Sequence, residues 1–259
     1  MISNNQTPVN EFSPQLWDKL STILKAAAEE CKREGRKPIA AFDADGTLWD
    51  ADAGETFFDY EIHHCGLKDL PPDPWKHYED MKKVNPIPAY LWLAEINKGV
   101  PLTKVREWAK QCFERHANWP VFDSQRRLIS FLRSLDFEIY VVTASIKWAV
   151  EPVAGLVGID YDHVLGITTK VEGGIVTTEP VYPVTWRQGK AEGLLAATGG
   201  QRPVLASGNT YGDTAMLETA THVQLALSTQ NTACGLFEEE RKLRVEAEAR
   251  GWMMHKFRS

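Results

Sequence analysis

Cysteine is scarce in this 259-residue chain: Cys31, Cys65, Cys112 and Cys234 are widely scattered, with no C-x-x-C spacing. That argues against a disulfide framework or a zinc site on paired cysteines and suits a reducing compartment. Basic charge is not in excess either, since 29 Lys and Arg stand against 35 Asp and Glu for a net charge of −6. Nucleic acid and anionic membrane surfaces are therefore not expected partners. The opening MISNNQTPVNEFSPQ lacks a basic start and an apolar segment, and no stretch reads as a membrane span. The expected location is cytoplasmic. Internal repeats, low-complexity tracts and flexible linkers are absent as well.

What is present is ample apolar material, 43% of residues, enough for one large domain or a domain with an insertion. The chain is organised around Pro38 to Asp50, PIAAFDADGTLWD. Its apolar run reads as a short buried strand that stops at a carboxylate and an Asp-Gly turn signal. Asp43 is thereby delivered to the carboxyl edge of a sheet, where open α/β folds bind ligands. Asp43 and Asp45 repel each other unless a cation or a shared proton relieves them, and a hard divalent metal, Mg²⁺, is the natural relief. Asp43 then suits a nucleophile and Asp45 a general acid and base.

Further along, the spacing predicts a helix from Ser13-Pro14 to about Cys31 and several helices between Leu70 and Pro120. The latter stretch carries Trp75, Tyr78, Tyr90, Trp92, Trp108, Phe113 and Trp119. These rings either form the core of their own segment or cage a quaternary ammonium group. Asp50, Asp52, Glu55 and Asp59 follow the first strand; they read as helix caps or as acids meeting a cationic part of a substrate. His63-His64-Cys65, without partner ligands nearby, reads as structural. A second buried strand ends at Thr143, with a helix expected from Ser145; the hydroxyl and the backbone N–H groups near Ala144 suit phosphate oxygens. A hairpin is predicted around Glu172-Gly173-Gly174. Lys190 opens a helix, an awkward place for a cation unless it faces an anion, with Arg187 as the substitute. A strand over Pro203 to Ala206 leads to Gly208-Asn209-Thr210-Tyr211-Gly212-Asp213, His222 to Leu227 reads as the last strand, and Gly235 to Arg250 as a solvated helix.

FDADGTLWD resembles the first motif of the haloacid dehalogenase superfamily, Asp-x-Asp-x-Thr after an apolar strand, and the later stretches resemble its other three motifs in order. The resemblance implies an α/β fold, a Rossmann-like parallel sheet flanked by helices, with an inserted α-helical cap as in phosphoserine phosphatase-like members. The core would be 1–50 and 120–259, the cap 51–119. It implies a Mg²⁺-dependent phosphatase that hydrolyses a small phosphate monoester through an aspartyl-phosphate. Asp43, Asp45 and Lys190 would be catalytic, and Thr47, Thr143, Ala144, Asp52 and Glu55 would bind substrate. Asp43, Asp45, Asn209 and Asp213 would hold the metal, Asp45 through its carbonyl. An amino-alcohol phosphate, phosphoserine or phosphocholine, is one candidate substrate. Asn209 departs from the pattern, which has Asp there. A phosphomutase, or a phosphate-binding protein disabled by Asn209, are the alternatives.

Overall fold

The structure, a computed structural model, describes residues 10–116, 118–229 and 236–257, so Cys234 lies outside the described residues. In chain order the elements are α1 (Pro14–Arg33), β1 (Ile39–Phe42), α2 (Ala53–His64), α3 (Pro74–Val84), α4 (Pro86–Glu95), α5 (Leu102–Glu114) and α6 (Asp123–Ser134). There follow β2 (Glu138–Ile146), α7 (Lys147–Gly155), β3 (Val164–Ile167), β4 (Thr169–Glu172), β5 (Ile175–Pro180) and α8 (Gln188–Ala197). The chain ends with β6 (Leu205–Gly208), α9 (Thr214–Thr219), β7 (Val223–Ser228), α10 (Phe237–Arg250) and β8 (Met253–Lys256). Six strands form one sheet in the order β3-β2-β1-β6-β7-β8, with parallel pairing at β2–β3, β1–β6, β6–β7 and β7–β8. This is the expected α/β architecture. β1 is buried at every position, as a parallel strand covered on both faces must be, which is why it reads as an unbroken apolar run. Among the described residues no helix is long and apolar enough to cross a membrane.

The chain divides into two compact units. The first comprises Met1–Asp50, Pro120–Tyr140 and Leu194–Ser259. Here Ser13 caps α1 by accepting from Leu16 N at 3.2 Å, Pro14 opens the helix, and Leu20, Leu24, Ala27 and Cys31 form its buried stripe. The register of β1 on β6 sets Ala41 beside Ala206 and Phe42 beside Ser207, so the chain leaves both strands side by side, at Asp43 and at Asn209. The sheet does not end at β7 as the sequence suggested. Gly251, at φ 67°, closes α10 and turns the chain into β8, which pairs with β7. β8 reads Met-Met-His-Lys and is half-buried, too short and too polar to be recognised after a charged helix. Nor is α10 wholly solvated, since Glu240, Leu243 and Ala247 are buried.

The second unit comprises Ala51–Trp119 and Val141–Gly193. Trp75, Tyr78 and Trp92 surround Phe58 with ring centroids 4.8, 5.7 and 5.6 Å away, mostly edge-on. The aromatic stretch thus packs largely against itself. The predicted hairpin is present as β4 and β5 around Gly173 and Gly174, both at positive φ, while the start of that stretch separates as β3 and pairs with β2. Ser145 is not a helix cap: β2 runs through it, α7 begins at Lys147, and the flanking Ile146 makes no side-chain cap.

Candidate active site

In the first unit the acids after β1 meet the loop after β6. Asp43 N donates to Ser207 O at 2.9 Å, which ties the first acid to the neighbouring strand. The chain then turns at Gly46, φ 74°, a left-handed position that glycine takes without strain. Asp43, Thr47, Asn209 and Asp213 are all buried. Thr47 Oγ1 lies 3.0 Å from Asp43 Oδ2 and 3.2 Å from Asn209 Oδ1. Asp45 is held by Trp49, whose indole N–H donates to its Oδ1 at 2.7 Å. Asp213 ties down the loop itself: its Oδ2 accepts from Asn209 N at 3.1 Å, Thr210 N at 2.9 Å and Thr210 Oγ1 at 3.1 Å.

Whether these residues suit a cation can be judged from their oxygens. One end of the Asn209 carboxamide lies 3.1 Å from Asp43 Oδ2 and 3.2 Å from both the Asp45 carbonyl oxygen and Thr47 Oγ1, and it hydrogen-bonds to all three when that end is the NH₂. With the carboxamide turned oxygen-inward, carboxylate, carbonyl and carboxamide would offer a hard divalent ion such as Mg²⁺ a set of oxygen donors. Among the described residues no group of three or more His, Cys, Asp or Glu is arranged to hold a metal. The set here escapes that description because two of its three donors are a carbonyl and an amide.

The second unit holds the remaining sequence candidates. Asp52 is the N-cap of α2, its Oδ1 accepting from Glu55 N at 2.7 Å. Glu55 pairs with Lys82 of α3 at 3.0 Å, and the Lys82 ammonium also sits 4.6 Å from the centroid of the Tyr78 ring. Glu55 and the Tyr78 face therefore already have a cation. Thr143 is buried; its Oγ1 accepts from Ser145 N at 3.0 Å and its carbonyl from Thr185 Oγ1 at 2.6 Å. Ala144 follows it in β2, half-buried. Gly54 makes room beside this turn, since a Cβ there would lie 2.7 Å from Ser145 Oγ.

Lys190 is buried near the start of α8, whereas Arg187 is exposed and stacks on Trp186 at 4.5 Å, so burial favours Lys190 over its substitute. Tyr90 gathers the unit's charges: burial raises its hydroxyl pKa, and Lys82, Asp52, Glu55 and Lys190 all act on it. Burial raises the Tyr78 hydroxyl too, with Glu55 the foremost charge. Sequence reasoning passed over Lys82 and the Trp49 contact. Only the Asp45–Trp49 spacing of four carried any local signal.

A buried parallel strand that ends in an acid pair, beside a polar loop closing the next strand, is the place where open α/β sheets bind ligands. The chain belongs to the haloacid dehalogenase-like hydrolases, whose family model matches residues 40–218. No curated protein matches its sequence. Among solved structures, a protein with unknown function from Bordetella pertussis Tohama I aligns over 84% of this chain and 97% of that one, at 18% identity and a TM-score of 0.64. A conserved functionally unknown protein from Anaerococcus prevotii DSM 20548 aligns over 85% of each chain at 16% identity, TM-score 0.61. A phosphoserine phosphohydrolase-like protein from Francisella tularensis subsp. tularensis SCHU S4 covers 80% of this chain and 92% of its own, at 15% identity and TM-score 0.52. At these identities the likeness is one of fold alone.

Proposed function

We propose that the protein is a Mg²⁺-dependent phosphatase that hydrolyses a small-molecule phosphate monoester through an aspartyl-phosphate on Asp43. The observation that carries this reading is the buried Asp43 at the end of β1, tied to β6 through Ser207 and set beside Asn209, with Asp45 held by Trp49. An Asp43 oxygen attacks phosphorus and the ester P–O bond breaks; Asp45 gives its proton to the departing alkoxide. Asp45 then takes a proton from water, which attacks the acyl phosphate, releases inorganic phosphate and restores Asp43. Thr143, the Ala144 backbone and Lys190 bind the phosphoryl oxygens, and Thr47 orients Asp43. When bound, Mg²⁺ neutralises charge on those oxygens. Asp213 serves the metal site by holding the Asn209 loop.

In this reading Glu55 and the Tyr78 face do not receive a quaternary ammonium group, because Lys82 already lies against both. The test is phosphate release from a panel of phosphoserine, phosphocholine, phosphoethanolamine, sugar phosphates and nucleoside monophosphates. Turnover that EDTA removes, Mg²⁺ restores and Asp43→Asn abolishes is the expected result, with no preference for phosphocholine over phosphoethanolamine. Silence across the panel with Mg²⁺ present would overturn it, and interconversion of sugar phosphates without free phosphate would replace it with a mutase.

A further inference from the structure

In the second unit, the turn after α4 receives the hairpin: Gly99 N donates to Val176 O of β5 at 2.9 Å, and Val176 N donates to Val100 O at 3.0 Å. Asn97 lies in this turn, fully buried. From α2 comes Glu61, equally buried, whose Oε1 accepts from Asn97 Nδ2 at 2.7 Å. That bond joins α2 to the turn and, through the turn, to β5. It leaves two acceptors, Glu61 Oε2 and Asn97 Oδ1, both buried and neither receiving a hydrogen bond from any described residue.

A carboxylate withdrawn from water with a bare oxygen is costly unless a cation offsets it. None does. Cys65 closes α2 and Cys112 belongs to α5; burial pushes both thiols up to about 12, with Glu61 the foremost charge acting on them, so both are neutral. Lys104 of α5 acts on Cys65, and Arg115 and Asp59 act on Cys112. On α7, which also packs on α2, Lys147 lies against Glu151, and Glu151 is held by Arg106. Lys82 of α3 pairs with Glu55 and Glu79, and Glu95 of α4 is another acid. No charge among these shifts Glu61; burial holds its carboxyl well above the ordinary range, opposed only by the Asn97 hydrogen bond.

We propose that Glu61 is a neutral carboxylic acid in the folded protein and works as a pH-sensitive catch: its Oε2–H donates to Asn97 Oδ1 while Asn97 Nδ2 donates to its Oε1, closing α2 onto the turn, and release of that proton to water opens the ring. One proton thus satisfies both orphaned oxygens, since an acid and a carboxamide are complementary, each with one donor and one acceptor side by side. Unfolding exposes Glu61 to water, where it ionises at any pH above the ordinary glutamate range. The catch therefore contributes fully in acid and is lost as pH rises. It does not depend on the phosphatase reading.

The test is urea denaturation between about pH 4.5 and pH 8 of wild type and Glu61→Gln. Glutamine sets an N–H and a carbonyl in the places of the acid's two oxygens and does not ionise. The two proteins should be similar near pH 4.5, and the variant should gain on wild type above it, the ratio of their folding constants growing about 10-fold per pH unit until Glu61 ionises in the folded state. Amide exchange at Gly99 and Val176, referred to free-peptide rates, should lose protection with rising pH in wild type and keep it in the variant. A difference that does not vary with pH, or a wild type that gains on the variant as pH rises, would mean an ionised Glu61 and overturn the proposal. Stabilisation of wild type but not the variant by sodium, potassium or magnesium chloride would overturn it in favour of a bound cation. Should Glu61→Gln fail to fold, wild type labelled with ¹³C at the glutamate side-chain carboxyls still decides: a glutamic acid protonated at pH 6 and in contact with the Asn97 carboxamide is expected, and ionisation of every glutamate at that pH refutes the catch.

Discussion

Gly208 offers the sharpest test of how the loop after β6 is held. It ends a strand and needs no special backbone angle, so alanine there is limited by space alone. A Cβ at this position would lie 2.5 Å from Asp213 Cβ, 2.7 Å from its Cγ and 2.8 Å from its Oδ2, far inside ordinary contact. Asp213 would have to retreat by roughly 1 Å, stretching all three hydrogen bonds that its Oδ2 accepts beyond useful length. Overpacking of this kind costs about 1–3 kcal/mol. Weakened bonds to a charged acceptor add to that without summing in full, so Gly208→Ala should lose about 2–4 kcal/mol in urea denaturation. Because Asn209 N is one of the released donors, phosphate release should also fall about 10-fold or more. The control is Asp213→Gly, which removes both the obstacle and the acceptor. In that background Gly208→Ala should cost no more than about 0.5 kcal/mol, since the two changes share one cause. An equal cost in both backgrounds, or a loss below about 0.5 kcal/mol in the wild type, would refute the reasoning.

Three further outcomes are expected. Arg106 donates through Nε and Nη2 to Glu151, both at 2.7 Å, and the Glu151 side chain is fully buried. Arg106→Met should therefore cost about 2–3 kcal/mol in urea denaturation; this is below the usual value for a broken buried pair because Arg106 is partly exposed and Lys147 remains 3.6 Å away. Adding Glu151→Gln should recover part of the loss. His255 sits edge-on between Phe12 and Phe257, and burial pulls its pKa from 6.5 down to about 4. The unfolded chain then binds more protons between those values, so stability is full above pH 6.5 and declines as pH falls toward 4. The loss is about 1–2 kcal/mol after discounting for the ring's partial exposure, and His255→Leu should flatten that slope in melting curves taken across the range. Trp49→Phe keeps most of the ring and removes the donor to Asp45. kcat for phosphate release should fall about 10- to 100-fold with KM little changed, and an unaltered kcat would show that Asp45 needs no such support.

The parts of this molecule that were legible in sequence are those whose physics is local. β1 could be read because a strand buried on both faces must be apolar throughout, and Asp43 because an acid that ends such a strand is conspicuous. α1 announced itself through Ser13, Pro14 and a periodic stripe. β8 was missed because a half-buried edge strand of four residues has no pattern to distinguish it from a tail. The separation of β3 from the hairpin was equally hidden, since pairing with β2 is decided by residues some 20 positions earlier.

The site divides along the same line. Asp45 and Trp49 stand four residues apart, near enough for a reader of sequence to have suspected contact. Glu55 and Lys82 are joined only because α3 packs beside α2. Asp52, read as either cap or substrate acid, is engaged as a cap, a role that its place just before a helix already favoured. Asn209 is the instructive case, because the sequence exposes the loss of a carboxylate and hides what surrounds the amide. Glu240 lies 31 residues away in a helix whose charges alternate like those of any solvated surface, and nothing in that alternation distinguishes it from Glu238 or Glu239. Burial does, because a carboxylate withdrawn from water must have donors, and Thr229 supplies two of them. A departure from a family pattern is thus visible in one dimension, whereas the surroundings of the departing residue are visible only where the chain returns to the same point in three.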